Sequence, residues 1–480
     1  MQIMLKIENA VPRLPEKMFA SPVNWTVKKG ENWAVIGPNG AGKTLLIEIL
    51  AGKTALKSGG VACTSGKPLS DAVKCVSFND IYSLAGLQNS YYQQRWNAGD
   101  RQDAPLVGEL LRKAAGTFAG MDFLNHTFAI EDLLDKPVNL LSSGELRKFL
   151  IVRSLAGKPE LLILDNPYIG LDEKSRGILN ELFIRMTSLE GLQIVLVLSN
   201  VSDIPETVTH VLPVKDKTTG EVVTRKDFMQ DTALQNSLFP APENLDWNVL
   251  KEEEKATVDF DNTLVFKDIR VCFDGRNILN SISWRVKRGE KWALLGENGA
   301  GKTTLLSLAV ADNPQAYAND IILFDRKRGS GESIWDIKKH IGYISPEMHL
   351  YYRKNVSGLD IVGSGFFDTI GLYRQCTDGQ KTEALQWMRL FGVEHLKDRP
   401  FLNLSSGEQR LVLLVRVFVK RPALLILDEP LHGLDASNKR RVRNIIEKYC
   451  TPQKSLIYVT HYEHEIPAVV DKRFRLVKNL

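Results

Sequence analysis

Glycines, a lysine and a hydroxyl at fixed spacing are the residues of this chain whose types could do chemistry. Gly37-Pro38-Asn39-Gly40-Ala41-Gly42-Lys43-Thr44 returns 259 residues later as Gly296-Glu297-Asn298-Gly299-Ala300-Gly301-Lys302-Thr303. Both copies fit G-x-x-x-x-G-K-[ST], a loop that cradles phosphate. Its glycines let backbone N–H groups close around an anion at a helix N-terminus. Lys43 and Lys302 would reach the β and γ phosphates of a nucleotide, and the hydroxyls of Thr44 and Thr303 would sit on a magnesium ion. Two copies in register predict two nucleotide sites.

The elements that must hold these loops are legible around them. Each loop follows an apolar strand, Trp33-Ala34-Val35-Ile36 or Trp292-Ala293-Leu294-Leu295, and precedes a run compatible with a helix. Three further landmarks recur at an offset of 263: Leu141-Ser142-Ser143-Gly144-Glu145 as Leu404-Ser405-Ser406-Gly407-Glu408, Leu161 to Asp165 as Leu424 to Asp428, and Gly170-Leu171-Asp172 as Gly433-Leu434-Asp435. Ordered landmarks at nearly constant separation mean a duplicated domain. Apolar runs alternating with helical segments give each half an α/β character, with a mainly parallel sheet. The expected boundaries are a first domain over 1–230, a linker over 231–262 and a second domain over 263–480. The linker reading rests on Pro240, Pro242 and the charged run Lys251 to Lys255, with a short helix expected around Trp247 to Lys255.

Composition narrows the classes. No apolar stretch approaches the ~18 residues of a membrane helix; the longest, Leu411 to Val419, is interrupted by Arg416 and reads as a buried helix face. Met1 to Lys6 alternates like a strand and shows no secretion signal. The five cysteines lack C-x-x-C spacing, which argues against a metal site or a disulfide framework and fits a reducing cytoplasm. A net charge of +5 over 480 residues is too mild to imply a nucleic-acid partner.

With a P-loop, a Leu-Ser-Ser-Gly-Glu signature, an aspartate ending an apolar strand and a Gly-Leu-Asp loop in that order, each half resembles an ATP-binding cassette (ABC) ATPase domain. The resemblance covers nearly the whole chain, although the signature departs from Leu-Ser-Gly-Gly-Gln at its third and fifth positions. The tandem, membrane-free layout is similar to the ModF/PhrA group, the molybdate-transport ATP-binding or photorepair proteins, most closely over Arg328 to Tyr343. The resemblance implies two tandem P-loop NTPase domains, each with a mainly parallel sheet, a helical subdomain and an antiparallel β-subdomain. It implies ATP and Mg²⁺ as ligands. ATP contacts would come from Gly37, Asn39, Gly40, Gly42, Lys43 and Thr44, and from Gly296, Asn298, Gly299, Gly301, Lys302, Thr303 and Thr304. Magnesium would be held through Thr44 and Asp165 in one site, and Thr303 and Asp428 in the other.

The family clamps ATP between two cassettes arranged head to tail, within one chain or in a homodimer, so each P-loop faces the other half's signature. Ser405, Ser406, Gly407 and Glu408 would then close the first site, and Ser142, Ser143, Gly144 and Glu145 the second. A helix N-terminus aimed at the γ-phosphate is the physical advantage. Phe273 is placed to stack on adenine in the second half, whereas aligning Trp25 with Trp284 puts Leu14 at the equivalent position. The family's magnesium-binding glutamine is expected after Ile341 to Ser345, but Pro346-Glu347 stand there, and Phe78-Asn79 follow Val76-Ser77. Glu347 or Asn79 could substitute by a one-residue slip.

The halves differ where hydrolysis is decided. Asp428 is followed by Glu429, a carboxylate able to orient and polarise water; Asp165 is followed by Asn166. His461 stands at the family's switch position and Asn200 at its counterpart. The expected catalytic set is Lys302, Asp428, Glu429 and His461, with the first site retaining ATP.

Two roles follow from the resemblance. One is a cytoplasmic ATPase, peripheral at the inner membrane face, that energises a separately encoded permease. The other is a ribosome- or nucleic-acid-associated clamp, to which the aromatic-basic stretch Tyr91 to Trp96 and the basic loop Arg326 to Gly331 speak. Solvated loops explain both stretches more economically.

Overall fold

The computed structural model describes residues 2–77, 105–115, 121–138, 141, 143–241, 245–251, 259–273, 276–297, 299–346, 348, 352, 355–369 and 374–477. They divide into two compact units. One runs to Ala241 and takes in Gly433–Ser437; the other holds the rest of the second half.

The first unit is built on β1 (Ile3–Pro12), β2 (Val23–Lys28), β3 (Trp33–Ile36), β4 (Leu56–Cys63), β5 (Val73–Ser77), β6 (Leu161–Asp165), β7 (Gln193–Leu198), β8 (His210–Lys215), β9 (Thr218–Thr219) and β10 (Val223–Thr224). Its central sheet runs β10-β8-β3-β7-β6-β5, parallel except for β10, with β9 pairing on β8. An antiparallel sheet, β2-β1-β4, packs beside it. Continuous apolar strands suit a sheet covered on both faces. Alternate residues divide accordingly. Ile163, Val195 and Val197 join a core with Trp25, Trp33 and Ile47, while Leu162, Leu164 and Leu196 join Phe149 and Phe183 on the other side.

The second unit repeats the plan with β11 (Asn262–Phe273), β12 (Arg276–Lys287), β13 (Lys291–Leu295), β14 (Asp320–Leu323), β15 (Arg326–Lys327), β16 (Ile341–Ile344), β17 (Leu424–Asp428), β18 (Ser455–Val459) and β19 (Lys472–Arg475). The order β16-β17-β18-β13-β19 is parallel throughout, and β12-β11-β14-β15 is antiparallel. The Trp25–Trp33 edge contact at 5.3 Å recurs as Trp284–Trp292 at 5.7 Å. Helices Val107–Ala115 and Met121–Phe128 in one unit, and Gly358–Gly363 and Asp378–Leu390 in the other, are the helical parts expected beside each signature.

The interval read as a linker is only partly one. Asp231 caps a helix, Thr232–Leu238, by accepting the Leu234 N–H at 2.8 Å. Leu238 and Phe239 are buried in the first unit's core. A pair of adjacent apolar residues is too short to show a period, which is why the sequence reads as polar there. Of the helix expected at Trp247 to Lys255, Asn248–Lys251 is present, Trp247 stands in the turn before it, and residues 252–255 lie outside the described residues.

Candidate functional site

Each P-loop is a sharp turn between a buried strand and a helix. The first connects β3 to the helix Lys43–Leu50, with Gly40 and Gly42 at φ 75° and 101°. Gly37 is required for closeness: a Cβ there would lie 1.8 Å from the Val214 carbonyl oxygen. The second connects β13 to the helix Lys302–Ala309, with Gly299 and Gly301 at φ 80° and 91°. These left-handed conformations favour glycine. Both lysines fold back over their own loop. Lys43 Nζ donates to the Gly37 and Pro38 carbonyls at 2.7 Å each, and Lys302 Nζ to those of Gly296 and Glu297 at 2.6 and 3.0 Å. Within the first unit Asn39 donates its backbone N–H to Asp435 at 2.8 Å and its side-chain amide to the Gly433 carbonyl at 2.9 Å. Asn298 lies outside the described residues.

Burial pushes the Lys43 ammonium down to about 8, against the pull of Asp165 and Asp435. It pushes the Asp165 carboxyl up, opposed by Lys43 and by the Thr44 hydroxyl, which sits 3.4 Å from Asp165 Oδ2. A hydroxyl and a carboxylate beside the phosphate loop are the hard oxygen donors that suit Mg²⁺. Thr303 stands half-buried at the second position of its helix, Thr304 is buried behind it, and Asp428 is buried at the end of β17. Among the described residues no group of three or more His, Cys, Asp or Glu could hold a metal by itself. A magnesium ion would therefore need the nucleotide's own oxygens to complete its shell.

The residues after β6 and β17 share one backbone geometry and differ in chemistry. Asn166 has φ 52° and donates its N–H to Val197 at 3.0 Å; Glu429 has φ 47° and donates to Val459 at 2.9 Å. Glu429 Oε1 meets His461 Nε2 at 2.7 Å. Burial alone would raise the Glu429 carboxyl, but the His461 hydrogen bond, with the charges of His432, His461 and Lys302, prevails and holds it down at about 2. It is an ionised acceptor. The Asn166 amide instead donates to Asp165 at 3.0 Å, and Asn200 donates to Asp203 at 3.3 Å.

Ser405 is the N-cap of the second signature helix, Ser406–Phe418. Its hydroxyl accepts the Glu408 N–H at 3.4 Å while the Glu408 carboxylate accepts the Ser405 N–H at 2.8 Å. That reciprocal capping box explains a glutamate at the signature's fifth position. Ser406 and Gly407 form the helix's first turn. In the first half the helix Ser143–Leu155 begins at the same place, and Glu145 pairs with Lys136 at 2.8 Å. Gly144 has room, since a Cβ would meet only Ser175, at 3.6 Å or more. Ser142, Asn79, Glu347, Tyr91 to Trp96 and the side chains of Ser143 and Phe273 lie outside the described residues. Phe273 ends β11, opposite Arg276.

Two readings need adjustment. Arg328, taken with the basic solvated loop, is buried; it pairs with Glu332 at 3.2 Å and lies 4.9 Å from the centroid of the Tyr317 ring. Leu14 is 49% exposed, and the first P-loop instead has Phe19 as its apolar neighbour: a Cβ on Gly42 would meet that ring at 3.6 Å and the Lys217 side chain at 3.3 Å. Phe19 sits among Pro, Met, Ser and Ala, with no spacing that marks it in sequence.

Two cassettes of this plan, each with its phosphate loop, acidic strand end and signature helix, define an ATPase of the P-loop class. The chain belongs to the ABC transporter family, whose model matches residues 20–169 and 279–432. It is similar to the ABC transporter ATP-binding protein ModF of Escherichia coli (strain K12), with 37% identity over 98% of this chain and 96% of ModF. It is also 30% identical to an uncharacterised ABC transporter ATP-binding protein of Schizosaccharomyces pombe, over 94% of this chain and 93% of that one. Among solved structures, the RNase-L inhibitor shares the fold at a TM-score of 0.54 and 18% identity, over 98% of this chain and 87% of that one. Among the described residues no helix is long and apolar enough to cross a membrane.

Proposed function

We propose that this ATPase works asymmetrically: the second P-loop hydrolyses ATP, the first retains it, and the cycle energises a separately encoded membrane permease. The observation that carries the asymmetry is the Glu429–His461 pair at 2.7 Å, set against Asn166, which shares the left-handed backbone of Glu429, and Asn200, the counterpart of His461 in the sequence. Backbone N–H groups of the loop and Lys302 bind the phosphates. The ionised Glu429 orients and polarises a water, and His461 holds that carboxylate in place. Thr303 and Asp428, and in the first site Thr44 and Asp165, would hold Mg²⁺, which neutralises charge developing on the transferred phosphoryl group. In this reading Ser142 to Glu145 close the active site and Ser405 to Glu408 close the retaining one, from the same chain or a second copy.

Similarity to ModF over nearly the whole length supports transport as the role; no residue here identifies molybdate. The alternative of a ribosome or nucleic-acid clamp loses part of its motive, because Arg328 is committed internally to Glu332. The test is recovery of partners by a Glu429→Gln chain in ATP from solubilised membranes and from the soluble fraction. An integral membrane protein retained only with ATP is expected. Retention of ribosomal subunits or nucleic acid instead would overturn the transport role while leaving the ATPase asymmetry standing.

A further inference from the structure

One buried side chain in the second unit touches the backbone of the proposed active site without facing ATP. Arg410, 5% exposed, lies on the signature helix one turn after its cap. One terminal nitrogen of its guanidinium donates to the carbonyls of Asp428 at 3.0 Å and Glu429 at 2.8 Å; the other donates to the carbonyl of Ser345, just past β16. The fork thus joins the signature helix, the acidic strand end and the strand that leads to Pro346. A planar fork suits this; a lysine ammonium, a point charge on a flexible stem, does not.

Glu429 sits at φ 47°, where a residue with a Cβ is disfavoured and persists only if its surroundings hold it. Three bonds do so: its N–H donates to Val459, and its carbonyl accepts from Arg410 at 2.8 Å and from the His432 N–H at 3.1 Å. From that conformation its carboxylate reaches His461. The equivalent Arg147 of the first half donates to the Pro167 and Ile169 carbonyls, beyond Asn166. An arginine at this position is thus common to both helices, and contact with the hydrolytic carboxylate's own peptide is seen at Arg410.

We propose that Arg410 is a positioning residue for ATP hydrolysis, which sets the backbone of Glu429 and ties it to the start of the signature helix. The inference rests on the reading of Glu429 as the residue that orients water. A ligand engaging Ser405 or the helix's first turn moves the same rigid element that carries Arg410. Movement there reaches Glu429 through the Arg410 side chain.

The test uses the full-length chain. Arg410→Lys keeps the charge but cannot bridge three carbonyls, and Arg410→Met keeps only the stem. Loss of about tenfold or more in kcat is expected for both, since displacements near 1 Å cost up to about 10²-fold, with KM for ATP and the melting temperature little changed. Added to Glu429→Gln, either change should lower the residual rate no further, because Arg410 acts through Glu429. Unchanged kcat overturns the proposal. A parallel fall of kcat, ATP affinity and melting temperature in both variants also overturns it, as that is the signature of a structural staple, and so does full additivity with Glu429→Gln. Glu429→Gln alone separates the two ideas: if it keeps wild-type turnover, the reading of Glu429 fails regardless of how Arg410 behaves.

Discussion

Rebuilding the first site tests the division of labour most directly. In a Glu429→Gln background, which on the proposed reading should silence the second site, the changes Asn166→Glu and Asn200→His should restore hydrolysis at the first. The backbone is already in place: φ at 166 and 429 differ by 5°, and the supporting N–H bonds to Val197 and Val459 differ by 0.1 Å. The new carboxylate would stand next to Asp165, itself buried with a raised pKa. Without a partner it would tend to take up a proton, so Asn166→Glu alone should recover little. A histidine at 200 supplies the bond that His461 makes to Glu429. Positioned general-base chemistry contributes about 10² to 10⁴ in rate, or about 3 to 5 kcal/mol at 1.36 kcal/mol per tenfold. A single-turnover phosphate burst with ATP bound before mixing avoids dependence on release from the silenced site. A burst at least tenfold above the Glu429→Gln parent is the minimum expected. No increase, with ATP retention and melting temperature intact, would mean that the missing pair is not what separates the two halves.

Three further outcomes follow from the same geometry. Lys302→Ala should abolish steady-state turnover, whereas Lys43→Ala should chiefly weaken nucleotide retention; equal loss of turnover from both, with ATP still bound at the other site, would refute the asymmetry. Lys43 has a folded pKa of about 8 against 10.5 for the free side chain, so between those values the unfolded chain binds a proton the folded one lacks. The Lys43 contribution to stability therefore grows with rising pH in that window; buried Lys420, also pushed down to about 8, adds a like gain to both proteins, so denaturation should show a larger gain in wild type than in Lys43→Met. Bound phosphates favour the charged lysine, so ATP affinity at the first site should fall as pH rises above about 8, as titration with a fluorescent nucleotide would show. Trp284→Ala removes a buried indole stacked on Phe474 at 4.6 Å and should cost about 3 to 5 kcal/mol, read as a downward shift of the second unit's calorimetric transition.

What the sequence made legible was whatever a fixed spacing enforces. A phosphate loop needs glycine at particular φ values and close approaches, so Gly37 against Val214 and Gly42 at 101° leave a readable pattern. The repeated landmarks likewise fix which strand ends carry Asp165 and Asp428, and the parallel sheets follow from their unbroken apolar strands. Contacts in which one partner is a backbone carbonyl leave no such pattern, because every residue owns a carbonyl. Arg410 and Arg416 are examples: each stands in an apolar helix, and nothing in the chain's order says that one reaches Asp428 and Glu429 and the other Ser364 and Thr369. Charge misleads for a related reason. Arg328 reads as part of a basic loop until Glu332, four residues on, is seen to neutralise it beneath Tyr317.

The same distinction bears on how Asn166 fits the strand end of the first site. Asn166 keeps the left-handed backbone of Glu429, and asparagine tolerates that region better than most side chains. Its amide satisfies Asp165 Oδ1, which otherwise would be a buried carboxylate relying on Lys43 and Thr44 alone. An asparagine there, in place of a glutamate, puts no second charge beside the buried aspartate and adds a hydrogen bond, so on the proposed reading it should stabilise the loop while withholding the carboxylate that orients water. Hydrolysis and local stability pull in opposite directions at this position. In the second unit the same conflict is resolved by His461, whose bond to Glu429 lets two adjacent carboxylates remain beside one phosphate loop.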